Sequence, residues 1–255
     1  MTMAIKSQNY NNVCQKGLEY IKENNYIQAA ACFEEAAAYS STNYEKIYAH
    51  ANLAYSYQML NDLQKALKEY DKALEIAPNE LTLLQQRANI FLQLDSVEQA
   101  LQDYNELLKH EPSNTGALLC RAHIYTNTGQ FDKAWKDYEQ LQWWIPDNLS
   151  VRLGIAMLYQ KEKRYDECLM VLSAIITENP GIAELYIARS NLERELGHNE
   201  LAMMDLEKAI EIDPENANNY ILQAIIYEKM GKKEAARKCR EKAITLGADK
   251  DVMIF

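Results

Sequence analysis

All five prolines of this chain recur at one interval. They are Pro78, Pro112, Pro146, Pro180 and Pro214, and each lies 34 residues after the one before it. A fixed interval of this length is typical of repeat architectures, in which each unit is one supersecondary structure that stacks on its neighbours. The proline interval therefore constrains the fold more than any local pattern in the sequence.

The prolines define a frame of seven units. When each proline is position 32 of a 34-residue unit, five units follow directly, and a sixth continues in frame without a proline. An earlier unit fits after a three-residue insertion, Tyr44-Glu45-Lys46. The predicted organisation is an N-terminal extension (1–9), repeats at 10–43, 47–80, 81–114, 115–148, 149–182, 183–216 and 217–250, and an apolar C-terminal tail (251–255).

Small and large residues align within this frame. Position 8 is Gly, Ala or Ser in every unit, and position 20 is Ala in every unit except one, where it is Cys168. Positions 4, 7, 8 and 11 share one face of a helix, and positions 20, 24, 27 and 28 share one face of a second helix. Each unit is therefore predicted to form two helices that approach closely at their small residues.

Turn and cap residues fit the same frame. Left-handed turn conformations are predicted near position 15, where most units have glycine, asparagine or aspartate, while Lys163 is the exception. An N-cap of the following helix is predicted at Asn79, Asn114, Asn148 and Asn216. Glu193 occupies position 11, where most units have an aromatic residue, and we expect weaker packing there.

This pattern resembles the tetratricopeptide repeat family over about nine-tenths of the chain. The resemblance implies an all-α fold, a right-handed α-solenoid superhelix of tandem 34-residue helix-turn-helix repeats. It also implies that positions 2, 5, 6, 9 and 12 of each first helix line a concave groove. Members of the family bind a peptide or protein segment there, so we expect a non-catalytic interaction scaffold or adaptor.

Two kinds of side chain occupy the predicted groove positions. Repeats two to four are rich in amides, which both donate and accept hydrogen bonds, whereas position 5 is aliphatic from repeat four onward. Position 5 has an alternative role, which is packing against the neighbouring repeat. The candidate groove residues are Tyr48, Asn52, Tyr55, Gln85, Gln86, Asn89, Leu119, His123, Leu153, Met157, Ile187, Asn191, Arg194, Ile221 and Ile225.

Charge and cysteine usage exclude several classes of function. The net charge is −10, and the 27 Lys and Arg residues are interleaved with 37 Asp and Glu residues. Because nucleic-acid binding needs clustered cations, we predict no nucleic-acid partner. No apolar run approaches the length of a bilayer span, so no membrane insertion is predicted. Five widely spaced cysteines favour neither a disulfide framework nor a zinc site. With no apolar signal-peptide core at the start, a cytoplasmic location is expected.

No catalytic motif stands out, so no catalytic residue, cofactor or metal site is predicted, and the chain is expected not to be an enzyme. The family's carboxylate clamp needs a lysine where this chain has Gln85 and Ile187, so binding of chaperone tails is not expected. Alternatives are an enzyme-associated or small-ligand-binding regulatory effector and a self-associating assembly protein that forms a weak homo-oligomer. Trp143 is predicted to be an exposed anchor or to pack locally, and Trp144 to be buried between repeats.

Overall fold

The computed structural model describes residues 3–249, so the predicted apolar tail lies outside the described residues. The described chain is all-α, with fourteen helices joined by short turns. In order they are α1 (Met3–Lys22), α2 (Tyr26–Tyr39), α3 (Asn43–Met59), α4 (Leu63–Ile76), α5 (Leu81–Gln93), α6 (Val97–His110), α7 (Thr115–Asn127), α8 (Phe131–Trp144), α9 (Leu149–Lys161), α10 (Tyr165–Glu178), α11 (Ala183–Glu195), α12 (Asn199–Ile212), α13 (Ala217–Lys229) and α14 (Lys233–Thr245).

Each predicted repeat contains one pair of helices. Residues 3–9 form the first turns of α1, so that helix extends beyond the predicted start of the first repeat. The inserted tripeptide lies inside α3, whose N-terminus is closed by a capping box in which Thr42 and Glu45 bond each other's backbone N–H groups. The insertion therefore lengthens α3 by about one turn.

The helices divide into two compact units, Met1–Ile124 and Tyr125–Phe255, with the division inside α7. In both units the core lies where the two helices of a pair meet. The alanines at position 20 are inaccessible to solvent, as are large side chains at position 24 such as Phe33, Tyr104 and Leu206. Small residues bring the helix backbones together, and the large ones fill the space beside that contact.

The turns between paired helices place one residue in the left-handed region, as predicted for six of the units. Glycine fills this position at Gly129, Gly197 and Gly231, and Asn or Asp fills it in the first three repeats. Lys163 was expected to be the exception, but this was wrong, because it also adopts the left-handed conformation, with φ 62°. Because the packed helices on either side fix the conformation of the turn, the backbone of Lys163 is held in a strained conformation.

Three of the four predicted asparagine caps form. Asn114, Asn148 and Asn216 each accept a hydrogen bond from a backbone N–H in the first turn of the next helix. The prediction for Asn79 is wrong, because the N-cap of α5 is Glu80, which makes no side-chain cap bond. Asn79 lies at position 33 of its repeat, one residue earlier than the three asparagines that form caps.

Buried ion pairs link the two helices of some repeats to the repeat before. Arg87 at position 7 donates through Nε and Nη2 to both carboxylate oxygens of Asp103 at position 23, at 2.8 and 2.7 Å. Its Nη1 donates to Asp71 of the preceding repeat at 2.7 Å. Arg189 makes the same contacts with Asp205 and Ser173. A bidentate pair of this kind fixes geometry as well as contributing energy.

Glu193 is tightly held rather than loosely packed. Its carboxylate is 8% exposed and lies 2.7 Å from Nδ1 of His198 in the turn that follows α11. The expectation of weak packing at position 11 of repeat six is therefore wrong. A buried carboxylate with a close hydrogen-bond partner replaces the aromatic residue of the other repeats.

Candidate functional site

Positions 2, 5, 6, 9 and 12 of each repeat are here called the first-helix face. Every one of the fifteen candidate residues lies on a first helix of a pair, and none is fully buried. The first unit holds the candidates from Tyr48 to His123, on α3, α5 and α7, and the second holds those from Leu153 to Ile225, on α9, α11 and α13.

Neighbouring repeats meet along this face in the first unit. A side chain added at Gly116 would place its Cβ 3.6 Å from Nε2 of Gln85, so α5 and α7 are adjacent there. The rings of Tyr26 and Tyr55 meet edge to face with centroids 6.3 Å apart, which joins α2 to α3. Repeats three and four are therefore adjacent along this face, and repeats one and two meet through α2 and α3.

Tyrosine hydroxyls reach this face from the core of the first unit. Tyr104 is inaccessible to solvent, and its Oη donates to Asn89 Oδ1 at 2.5 Å. Tyr70 Oη lies 3.5 Å from Gln58 Oε1. Burial raises the pKa of both tyrosines, so both hydroxyls remain protonated donors. The core residue at position 24 thus supplies a polar partner from behind the face.

These contacts fix which atom each amide presents outward. Asn52 donates from Nδ2 to the backbone carbonyl of Tyr48 at 2.8 Å, which leaves its Oδ1 as an acceptor. Asn89 accepts from Tyr104, which leaves its two N–H donors. Neighbouring repeats therefore present an acceptor and a donor, the two groups that a peptide backbone can satisfy.

The first-helix face of the first four repeats carries no Asp, Glu, Lys or Arg. Burial lowers the pKa of its single histidine, His123, and this keeps the ring neutral near neutral pH. Burial also raises the pKa of Tyr48 and of Cys14. In a chain where a quarter of all residues are charged, this face is electrically neutral.

The second unit presents aliphatic side chains at equivalent positions. Leu153 and Ile187 are half-buried and pack against core clusters that include Leu172 and Leu206 respectively. Position 5 thus contributes to the core in these repeats while part of each side chain stays exposed. Ile225 is 36% exposed, and Met157 and Ile221 are half-buried. Asn191 and Arg194 are the polar residues among the candidates of this unit, and the same face also carries Gln160, Glu184 and Glu228.

Two adjacent tryptophans lie outside the first-helix face, at the end of α8. Trp143 is 82% exposed, which excludes local packing, and Trp144 is 54% exposed although it was expected to be buried. Position 30 falls in the last turn of the second helix, and its equivalents His110, Glu178 and Ile212 are exposed too. The burial expected from the family pattern therefore does not apply to this chain.

Metal-binding and membrane-spanning features form a separate question from the first-helix face. Among residues 3–249, no group of three His, Cys, Asp or Glu side chains is arranged to hold a metal ion. None of the helices described is both long and apolar enough to cross a bilayer.

Comparison with known proteins gives one consistent result. Family models described as tetratricopeptide repeat match residues 10–43, 47–80, 183–216 and 206–238. A crystal structure of a tetratricopeptide repeat protein from Parabacteroides merdae is 29% identical, covers 96% of this chain and 96% of its own, and superposes with a TM-score of 0.84. No curated protein sequence matches the chain.

More distant structures share the fold. The C-terminal part of a repeat-containing protein from Cytophaga hutchinsonii is 18% identical over 94% of this chain and 97% of its own, with a TM-score of 0.67. MamA from Desulfovibrio magneticus is 20% identical over 67% and 97%, with a TM-score of 0.55. These two structures share the fold alone. The family matches, the structure from Parabacteroides merdae and the fourteen paired helices of the described residues place the chain in the tetratricopeptide repeat family, as an all-α solenoid.

Proposed function

We propose that this protein is a non-catalytic scaffold or adaptor that binds segments of other proteins on its first-helix face. The observation that carries the proposal is the neutral, amide-rich face of the first unit, where Asn52 presents an acceptor and Asn89 presents donors. An extended peptide offers N–H and C=O groups along its length, and it is the ligand that such a face satisfies best.

Charge limits the class of ligand for the first unit. A charged side chain buried against this face would lose water and gain no counter-ion, which costs several kcal/mol. Gln85 and Gln86 make no hydrogen bond within the described residues, so both amides are available to a ligand. We therefore expect an extended, uncharged segment and binding that changes little with salt.

The other elements of the proposal rest on the sequence. The absence of a recognisable catalytic motif is the reason for assigning no enzymatic role. The odd number and wide spacing of the five cysteines favour a reducing compartment such as the cytoplasm. Association with nucleic acid is disfavoured by the net charge of −10.

Selection from a displayed library of random peptides, with the full chain as bait, tests this function. We expect the wild-type chain to enrich peptides that contain few charged residues. The double variant Gln85→Glu/Gln86→Glu introduces charge with almost no change in shape, and binding of those peptides should fall at least tenfold, or about 1.4 kcal/mol. Gln99→Glu/Gln102→Glu on the exposed surface of α6 is the matched control and should bind like wild type.

Two outcomes contradict the proposal. One is retention of full affinity by the Gln85→Glu/Gln86→Glu variant. The other is a selection in which no peptide is enriched over an empty support. Circular dichroism of both variants confirms that their helix content matches wild type.

A second candidate is self-association, which the exposure of Trp143 and Trp144 favours. Large exposed aromatic residues are frequent energetic centres of protein interfaces. Sedimentation analysis of the wild type and of Trp143→Ser/Trp144→Ser tests it. Self-association predicts a concentration-dependent increase in mass that the double variant lacks, and a monomer in both proteins contradicts it.

A further inference from the structure

Arg194 on α11 stands apart among the arginines of the second unit. It is half-buried, and its Nε is closed to solvent but donates no hydrogen bond. It forms no ion pair with any residue in the described part of the chain. A partly desolvated guanidinium without a partner is costly, so an unpaired arginine at this position calls for an explanation.

The core residue behind Arg194 explains why the guanidinium is unpaired. In repeats three and seven the position-24 side chain bonds a polar residue of the first-helix face: Tyr104 bonds Asn89, and Arg240 bonds Glu228. In repeat six, position 24 is Leu206, which is inaccessible to solvent and has no polar group. Arg194 therefore receives no partner from the core of its own repeat.

Neighbouring repeats supply no partner either. Gln160 and Glu228 occupy position 12 on either side of Arg194 in the frame. Gln160 donates to Glu195 at 3.0 Å, and Glu228 accepts from Arg240, so each of these carboxylates bonds a group other than Arg194. The guanidinium of Arg194 therefore has donors that a ligand can use.

The first-helix face around Arg194 includes aliphatic residues beside the polar Gln160 and Glu228. Ile187 lies on the same helix two turns earlier, and Met157, Ile221 and Ile225 occupy face positions in the adjoining repeats. Apolar side chains of a ligand would be desolvated against these residues. A carboxylate brought in with them would meet the planar guanidinium, whose fork of donors matches two carboxylate oxygens.

We propose that the first-helix face of the second unit binds an apolar protein segment that carries one acidic side chain, with its carboxylate paired to Arg194. This inference rests on the proposed function and adds a specificity element to it. The partner differs from the neutral ligand expected at the first unit. The acid is a side-chain carboxylate within the segment rather than a chain terminus, because face positions in both adjoining repeats carry aliphatic residues, Met157 and Ile225, for the segment to contact on either side of the acid.

The test begins with peptides selected by the full chain and then synthesised with amidated C-termini, which removes the terminal carboxylate. We expect one class of peptides to combine Leu, Ile, Val or Met with a single Asp or Glu. Changing that acid to its amide should weaken binding to the wild type by about tenfold to a hundredfold, the range for a charge-assisted hydrogen bond.

Three variants connect the effect to Arg194. Arg194→Gln should bind the acidic peptide and its amide with equal, low affinity, and Arg194→Lys should retain part of the preference for the acid. Arg237→Gln removes the same charge from the exposed surface of α14 and should behave like wild type. Because Arg194 has no partner to lose, Arg194→Gln should unfold at the same temperature as wild type or higher.

Three results would overturn the inference. The first is no enrichment of acids in the selected aliphatic peptides, and the second is an equal loss of affinity for wild type and Arg194→Gln when the acidic side chain is changed to its amide. The third is binding only by peptides with a free C-terminus. If the peptides for the first unit still respond to Gln85→Glu/Gln86→Glu, the scaffold function survives this failure. If no peptide binds either unit, both proposals are wrong.

Discussion

The first and second units place different chemistry on the same repeat positions. Behind the first-helix face, the first unit has Tyr70 and Tyr104 at position 24, and their hydroxyls meet amides. In the second unit, repeats five and six have Leu172 and Leu206 at that position, and position 5 of the face in front is aliphatic. The buried residue at position 24 therefore limits which side chains the first-helix face can carry in front of it, because a buried hydroxyl needs a polar partner.

The largest effect should come from converting the charged pair of repeat three, in the first unit, into the apolar pair of repeat five in the second unit, where repeat six keeps the charged pair Arg189–Asp205. Positions 7 and 23 are Arg87 and Asp103 in repeat three but Ile155 and Val171 in repeat five. Arg87→Ile should lower the free energy of unfolding by about 3 kcal/mol, because it leaves Asp103 buried without its counter-ion.

The double variant Arg87→Ile/Asp103→Val gives repeat three the apolar pair of repeat five, and it should recover most of the lost free energy of unfolding. Urea unfolding of the three proteins measures both steps. If the double variant is as unstable as the single one, the charged and apolar pairs are not equivalent solutions in the two units.

A second contrast concerns glycines of the first-helix face. A Cβ at Gly154 in the second unit would lie 2.5 Å from Tyr138 Oη, whereas one at Gly116 in the first unit meets nothing closer than 3.5 Å. Gly154→Ala should destabilise by about 2 kcal/mol through overpacking. Gly116→Ala should instead stabilise by about 0.5 kcal/mol, because alanine favours helix. Thermal unfolding checks the opposite signs, and equal shifts would contradict the packing difference.

The turns give a third and smaller contrast. The first unit uses asparagine or aspartate in the left-handed position, which those residues tolerate, and the second uses glycine except at Lys163. Lys163→Gly should raise the free energy of unfolding by about 1 kcal/mol. Asn61→Gly in the first unit should give a smaller gain. Equal gains in urea unfolding would mean that the lysine side chain adds no strain.

The smallest effect is a pH dependence expected from the first unit. Burial opposes ionisation of Glu69, but hydrogen bonds from His50 and Lys72 outweigh it, and the pKa of Glu69 lies below its ordinary value of 4.5. A depressed carboxylate pKa stabilises the fold above that ordinary value, and the stabilisation is lost as pH falls through the folded pKa.

Glu69→Gln should therefore be less stable than wild type near neutral pH, and the difference should shrink below about pH 4. Urea unfolding over a pH series measures it. A difference that stays constant down to acid pH would show that the ionised form of Glu69 adds nothing to stability.

Much of the fold was predictable because the repeat frame depends on steric requirements that recur in every unit. Alanine at position 20 and proline after the second helix have the same cause each time they occur. Asn79 was mispredicted because it lies one residue before the N-cap position. Lys163 was mispredicted because the neighbouring helices impose a strained backbone conformation on it. Neither effect is visible in residue type alone.

The candidate site was less predictable than the fold. Periodicity identified which residues lie on the first helices, but it did not show which amides were already engaged. The contacts of Asn89 and the isolation of Arg194 depend on position 24 of the same repeat, fifteen and twelve residues further along the chain. A recurring Arg-to-Asp spacing of sixteen residues, as in Arg87–Asp103 and Arg189–Asp205, was a signal in the sequence that would have revealed the buried pairs.

The arginine contacts carry a consequence for how such an array can be rearranged. Arg87, Arg121 and Arg189 each reach back to a different residue of the preceding repeat: Asp71, Asn105 and Ser173. A repeat cut out and pasted elsewhere would meet the wrong neighbour and leave a buried cation mismatched. Although the repeats share one fold, these three each bind a particular residue of the repeat before them. Changing the order of the repeats should therefore destabilise the protein even when every repeat is retained.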